Sequence, residues 1–271
     1  MKNLKGQIVL ITGAGSGIGR KMAQHFAREG SRLVLVATSM EGLEMTAAEV
    51  KDLGGEAEVF TVDVSDREQV YQLAEKVKKD VGKVDVLVNN AGIVSGKPFL
   101  ECSDEQLERT MAVNVMGHFW TVKAFLPDMI AASHGHVVTV ASSAGWIGVN
   151  SLADYSASKF ANVGFDEAIR MELRKNGVNG VKTTCVCPFF TDTGMFEGVK
   201  TRFSFLLPIL KEDEVARKIV AAVKKDKAVL KMPLFTYTVP LLRIFPTSWM
   251  DGLADYMGIS SSMDEFKGRG H

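Results

Sequence analysis

Tyr155 and Lys159 stand four residues apart in the stretch Asp154-Tyr155-Ser156-Ala157-Ser158-Lys159. On a helix that spacing puts both side chains on one face. A free tyrosine, with a pKa of about 10, is a poor base at neutral pH. A cation about 6 Å away, at an effective dielectric of about 20, favours the phenolate by roughly 3 kcal/mol, or about two pKa units. Such a pair can give and take a proton near neutrality. The same spacing also describes an ordinary surface pair, so it acquires meaning only from its neighbours.

Two neighbouring stretches supply that meaning. Val138-Thr139-Val140-Ala141-Ser142-Ser143 places hydroxyls just past the carboxyl end of a predicted strand, and Asn89-Asn90-Ala91-Gly92 follows another strand at the same edge. That edge is where open α/β sheets bind ligands.

A third stretch lies near the front of the chain, where Ile8-Val9-Leu10-Ile11 runs into Thr12-Gly13-Ala14-Gly15-Ser16-Gly17-Ile18-Gly19 and residues 20–29 have helical spacing. A strand, a glycine turn and a helix in that order let a pyrophosphate sit on free N–H groups at the positive end of the helix dipole. Gly13 permits the tight turn, Gly17 close approach to phosphate, and Gly19 close packing of helix on strand. The pattern is G-x-x-x-G-x-G rather than the strict G-x-G-x-x-G, and glycines there can serve structure alone.

The end of the second strand bears on the choice of dinucleotide. A carboxylate usually stands there to bind the adenosine ribose, but this chain reads Val36-Ala37-Thr38-Ser39-Met40. Nothing repels a 2′-phosphate, and the Thr38 and Ser39 hydroxyls can donate to one. NADP(H) is therefore favoured, with Arg20 or Lys21 as added charge. NAD(H) stays open because no arginine follows Ala37.

These residues need elements to hold them. Strands are predicted over residues 7–11, 32–36, 57–61, 84–88, 136–140, 182–186 and 228–231, and helices over 17–29, 41–53, 67–81, 103–126, 153–176 and 212–224. Such alternation implies right-handed crossovers and a parallel sheet of seven strands with helices on both faces, an α/β Rossmann fold. No Pro/Gly/Ser-rich linker interrupts the series, so residues 1–271 read as one domain.

Composition narrows the class of function. The 46% apolar content supplies a core without disulfides or metals. The 32 basic residues balance 32 acidic ones, which argues against a nucleic-acid groove. Cys102, Cys185 and Cys187 form no disulfide framework or zinc spacing, and the last two are expected to share one strand face as buried inert thiols. His25, His118, His134, His136 and His271 show no ligand spacing, so no metal is expected, and His134-Gly135-His136 reads as a loop before a strand. The opening Met1-Lys2-Asn3-Leu4-Lys5 leads into too short an apolar run for an export signal or spanning helix. A cytoplasmic setting is expected.

With these residues in order, the sequence resembles the short-chain dehydrogenase/reductase family over about residues 5–235. The matching elements are Thr12-Gly13-x-x-x-Gly17-x-Gly19, Asp63-Val64, Asn89-Asn90-Ala91-Gly92, Asn114, Ser142, Tyr155-x-x-x-Lys159, and Pro188 with Thr191 and Thr193. The resemblance implies that Tyr155 is the acid/base, that Lys159 binds the nicotinamide ribose and lowers the tyrosine pKa, that Ser142 holds the substrate oxygen, and that Asn114 fixes a relay water. Ser142 is chosen over Ser143 because it lies thirteen residues before Tyr155, the usual family spacing. Asp63, with Val64 beside it, would meet the adenine. Ser16, Ile18, Asn89, Ala91, Gly92, Pro188, Thr191 and Thr193 would follow the cofactor. Phe189 departs from the glycine many members carry there.

The segment 189–210 is apolar, with Phe189, Phe190, Met195 and Phe196 followed by Phe203, Phe205, Leu206 and Leu207. In such folds it covers the active site, so a lipophilic substrate is expected, with Trp146 and Val149 on the same side. The alternative is that these residues pack on each other or on another subunit, in a homodimer or homotetramer.

Residues 182–188, 192–195 and the tail 262–269 look like the branch holding epidermal-type retinol dehydrogenases and lipid-droplet 17β-hydroxysteroid dehydrogenases, which act on retinoids, steroids or other lipophilic alcohols. Members often carry an N-terminal membrane anchor, whereas this sequence opens at the first strand. The apolar extension 232–271 could still rest on a lipid surface, as peripheral membrane contact. The reading is an NAD(P)(H)-dependent oxidoreductase that interconverts a hydroxyl and a carbonyl. One rival is a 3-oxoacyl-thioester or small-carbonyl reductase; another is a dinucleotide-sensing or lipid-binding protein without turnover, which the intact Asn114, Ser142, Tyr155 and Lys159 set argues against.

Overall fold

Aliphatic and β-branched runs form the strands, and in β1 (Ile8–Thr12) every residue is buried. The computed structural model describes residues 3–268, so Met1, Lys2, Arg269, Gly270 and His271 lie outside the described residues. After β1 come α1 (Gly17–Arg28), β2 (Arg32–Ala37), α2 (Met40–Asp52), β3 (Glu56–Thr61), α3 (Arg67–Asp80), β4 (Val86–Asn89), α4 (Asp104–Met111), α5 (Gly117–Ala131), β5 (Gly135–Val140), α6 (Ala153–Lys175) and β6 (Val181–Pro188). The chain continues through β7 (Thr191–Asp192), β8 (Leu210–Lys211), α7 (Glu212–Lys224), β9 (Val229–Met232), α8 (Val239–Leu242) and α9 (Thr247–Tyr256).

Seven strands form one parallel sheet in the order β3-β2-β1-β4-β5-β6-β9. All residues of β4 and β5 are buried as well, as helices on both faces require. The strand order reverses between β1 and β4, and a crevice opens there at the carboxyl ends.

Three local features differ from the sequence reading. The helix expected over 103–126 is α4 and α5 joined by a π-helical turn, Ala112–Met116, and it runs through Pro127 to Ala131. Proline reads as a helix breaker, so the sequence reading stopped one residue before it. The two-residue strands β7 and β8 pair in parallel and draw together the ends of the segment between them, a ladder too short to leave a sequence pattern. The strand predicted from His136 begins one residue earlier, at Gly135, so of the expected loop only His134 stays outside β5; His136 is buried, and its Nε2 lies 2.7 Å from Thr184 Oγ1. The thiols of Cys185 and Cys187 are buried on one face of β6, 3.8 Å apart. Among the described residues no helix is long and apolar enough to cross a membrane.

Candidate active site

The N-terminal end of α6 sits against the carboxyl edge of the sheet, and its first turns carry Tyr155 and Lys159 into the interior at 6% and 3% exposure. The Lys159 Nζ donates to the Val140 carbonyl at the end of β5, at 3.0 Å, and lies 5.4 Å from the centre of the Tyr155 ring. Ser142 follows β5 by two residues; its Oγ accepts from the Ala144 N–H at 3.1 Å and donates to the Pro188 carbonyl at 3.4 Å.

Burial governs the charges here. It pushes the Tyr155 phenol up to about 12, with a hydrogen bond to Ser142 acting the other way. It pulls Lys159 down to about 8, against the Cys185 and Cys187 thiols. In the protein alone, desolvation therefore governs the phenol. His118 on α5 is fully buried and pulled down to about 3, first by burial and then by Lys159, so its imidazole stays neutral.

Asn114 lies in the π turn and is locked by its own amide. Its Oδ1 accepts from the Ile93 N–H at 2.8 Å, and its Nδ2 donates to the Ile93 carbonyl at 2.9 Å and to Ser158 Oγ at 3.0 Å. π turns of this kind recur at functional sites. Asn114, Ser142, Tyr155 and Lys159 thus gather at one end of the sheet.

The glycine turn forms a cradle fitted to a phosphate-bearing ligand. A side chain at Gly13 would come within 2.9 Å of Asn90 Nδ2, and one at Gly19 within 2.2 Å of the Gly13 carbonyl. The first turn of α1 holds no acidic residue, so nothing there opposes an anion at the helix N-terminus. Gly13, Ser16, Gly17, Ile18, Ala91, Gly92, Pro188, Thr191 and Thr193 line one continuous cleft with Ser142, Tyr155 and Lys159.

Several expected residues serve elsewhere. Asn89 is turned into the core, where its Oδ1 accepts from Thr121 at 2.7 Å; Asn90 lines the cleft instead. Ser39 caps α2 by accepting from the Gly42 N–H at 3.2 Å. The Asp63 carboxylate accepts from Ser65 at 2.7 Å and pairs with Arg109 at 2.7 Å. Val64 packs where a side chain on Gly117 would stand. Ala37 ends β2 and Thr38 follows it, both outside the cleft lining. Arg20 reaches the Gly15 carbonyl at 2.6 Å and Glu49 at 3.8 Å, while Lys21 faces Glu212 at 4.0 Å. Trp146 does not line the cleft: its indole donates to Cys187 Sγ at 3.2 Å, and Lys231 Nζ stands 3.6 Å from its ring centre.

Beyond the phenol the cleft is apolar. Tyr155 meets Phe196 edge-on at 5.7 Å, Phe196 meets Phe190 at 5.2 Å, and Phe190 meets Phe189 at 4.8 Å. Val149 and Met195 stand where expected, and Ile147, Leu207, Phe235, Val239 and Ile259 add to them in a space of about 1240 Å³ that is open to solvent. Ile259 had no sequence signal, since it follows α9 and reaches the cleft only through the fold.

A parallel sheet with a glycine cradle at its switch point and a buried tyrosine–lysine pair beside it defines a nicotinamide-dependent oxidoreductase. Residues 7–202 match the family model for short chain dehydrogenase. The chain is 51% identical over 267 residues to human epidermal retinol dehydrogenase 2, covering 98% of this chain and 86% of that one. It is 44% identical over 250 residues to human estradiol 17-beta-dehydrogenase 11, covering 92% and 82%. A crystal structure of a short chain dehydrogenase/reductase from Burkholderia phymatum in complex with NAD superposes with a TM-score of 0.80 at 31% identity, covering 89% of this chain and 94% of that one. The chain belongs to the short-chain dehydrogenase/reductase family and is an NAD(P)-dependent alcohol dehydrogenase/carbonyl reductase of that family.

Proposed function

We propose that the protein interconverts a hydroxyl and a carbonyl on a lipophilic, retinoid-, steroid- or fatty-alcohol-like substrate, with Tyr155 as acid/base. The observation that carries the reading is the run of Phe196, Phe190 and Phe189 leading away from the phenol, which suits a long or polycyclic apolar body. A retinol and an estradiol dehydrogenase among the relatives support it.

When bound, a nicotinamide supplies or accepts the hydride. The remaining work belongs to the chain. Ser142 Oγ holds the substrate oxygen beside Tyr155. The phenol, protonated at neutral pH, donates to that oxygen as the carbonyl is reduced; in the oxidising direction Tyr155 receives the hydroxyl proton, and a charged Lys159 favours the phenolate this needs. With both Nδ2 hydrogens engaged, Asn114 would hold a relay water through its backbone carbonyl or the second lone pair of Oδ1. Gly13, Ser16, Gly17, Ile18, Asn90, Ala91 and Gly92 would hold the dinucleotide, with Pro188, Thr191 and Thr193 at its nicotinamide end.

The absence of a carboxylate after β2 supports NADP(H), while the neighbouring NAD complex keeps NAD(H) in contention. Peripheral membrane contact belongs to the same reading. Leu234, Leu241, Ile244, Phe245 and Trp249 are exposed around Phe235 and Val239, which line the cleft, so a lipid surface would lie beside the substrate entrance. A homodimer or homotetramer is also part of it, supported by the apolar groove between α5 and α6 lined by Phe119, Trp120, Leu126, Ile130, Phe165 and Ile169. A panel of retinoid, steroid and aliphatic alcohols, assayed by NAD(P)H absorbance, tests the substrate class; turnover confined to small polar carbonyls would overturn it.

A further inference from the structure

Asp154 immediately precedes Tyr155 and is buried in the first turn of α6 at 7% exposure. Its Oδ1 accepts from Ser95 Oγ at 2.8 Å and its Oδ2 accepts from Thr110 Oγ1 at 2.8 Å. The donors come from separate elements: Ser95 from the loop leaving β4, Thr110 from α4. A buried carboxylate is costly unless its oxygens are satisfied, and here each oxygen takes its own hydroxyl.

The same loop is held two residues earlier, where the Asn114 amide binds both backbone groups of Ile93 at 2.8 and 2.9 Å. Asn114 then donates to Ser158 at 3.0 Å, and Ser158 donates to the Tyr155 carbonyl at 2.7 Å. Together these bonds close a circuit that leaves α6 at Asp154, crosses the loop after β4 and the π turn, and returns to α6 at Ser158.

We propose that Asp154 is a positioning residue that ties the loop after β4, and with it Ala91 and Gly92 of the cofactor wall, to the helix carrying Tyr155. This rests on the reading of the cleft as a dinucleotide and alcohol site. Breaking the tie frees the loop while leaving every group that touches the ligands in place. Its signature is weaker cofactor binding together with lower kcat, and coupling between Asp154 and Ser95.

The experiment compares Asp154→Ala, Asp154→Asn, Ser95→Ala and the Asp154→Ala/Ser95→Ala double variant by fluorescence titration with NADPH and NADH, steady-state kinetics and thermal melting. Asp154→Ala should weaken cofactor binding about tenfold, as expected when buried hydroxyls lose their acceptor. Asp154→Asn, which can accept from one hydroxyl and donate to the other, should return to within about threefold of wild type. The double variant should be no worse than Asp154→Ala, the non-additivity expected of one shared contact. If Asp154→Ala does not fold, Ser95→Ala decides alone, with cofactor affinity reduced about threefold. Lower melting temperatures with unchanged cofactor affinity, or strictly additive losses, would overturn the proposal. If wild type binds cofactor but turns over no alcohol, the substrate reading fails while the titrations still judge Asp154.

Discussion

The Lys159 ammonium stands 5.4 Å from the centre of the Tyr155 ring, yet both groups are governed more by burial than by each other. Lys159 is drawn down to about 8, so it is charged below that pH and neutral above it. Lys159 lines the cleft proposed for the anionic dinucleotide, so its charge should draw the cofactor in, and kcat/KM for the reduced cofactor, which reports the free enzyme, should fall as pH rises through about 8. An alkaline limb that begins only above about pH 10, the ordinary lysine range, would show that burial does not set the Lys159 charge. Tyr155→Phe should lower kcat roughly 10²–10⁴-fold while cofactor affinity by fluorescence titration stays close to wild type.

Asp166 on α6 is pushed up to about 6 by burial, with the bond from the Thr183 hydroxyl and the nearby Thr139 hydroxyl offsetting only part of the effect. The folded state then binds the proton more tightly than the unfolded chain. The resulting stability is complete below the ordinary carboxyl range and is lost as pH rises through about 6. Asp166→Asn removes that dependence, so it should gain about 2 kcal/mol on wild type between pH 4 and pH 7. Denaturant melts at both pH values check this. A gap that does not widen with pH would mean that Asp166 is ionised when folded.

The sequence carried the sheet well because its central strands are aliphatic and β-branched runs between helical patterns, and the edge strand β3 keeps a β-branched and aromatic end. It carried Ser142, Tyr155 and Lys159 because they stand at element ends, where spacing converts directly into place. What it could not carry were choices made by distant residues. The π turn at Asn114 depends on an amide bonded to Ile93, twenty-one residues away. Trp146 is drawn out of the cleft by Lys231 and Cys187, neither close in sequence. Asn89 and Asn90 are a single step apart at a strand end, and one step turns a side chain to the opposite face. That is why a motif spanning both named the core-facing residue.

The proposed preference for NADP(H) rests on the end of β2. Ala37→Asp places a carboxylate beside the expected 2′-phosphate position, so KM for NADPH should rise much more than KM for NADH. Ser39 Oγ only accepts as the cap of α2, so its hydroxyl hydrogen stays available to donate alongside Thr38 and backbone N–H groups. Parallel titration of wild type and variant with both cofactors gives the answer. Equal changes for the two, or a wild type that already prefers NADH, would remove the 2′-phosphate argument.

The aromatic wall makes the substrate reading quantitative. Each additional buried CH₂ contributes roughly 0.8 kcal/mol, so kcat/KM should climb about fourfold per carbon across a homologous series of primary alcohols until the cleft is filled. Phe196→Ala, which removes the ring between Tyr155 and Phe190, should flatten that climb for the longer members and spare the shortest. The competing account holds that the apolar segment serves assembly, and it makes a different demand on Phe205, which is 83% exposed. If assembly is its purpose, Phe205→Glu should dissociate an oligomer in light scattering without any selective loss for long substrates. A flat chain-length profile joined to a dissociated Phe205→Glu variant would sink the lipophilic assignment and promote reduction of small or thioester-linked carbonyls. A rising profile with an unchanged solution mass would place the segment in substrate recognition.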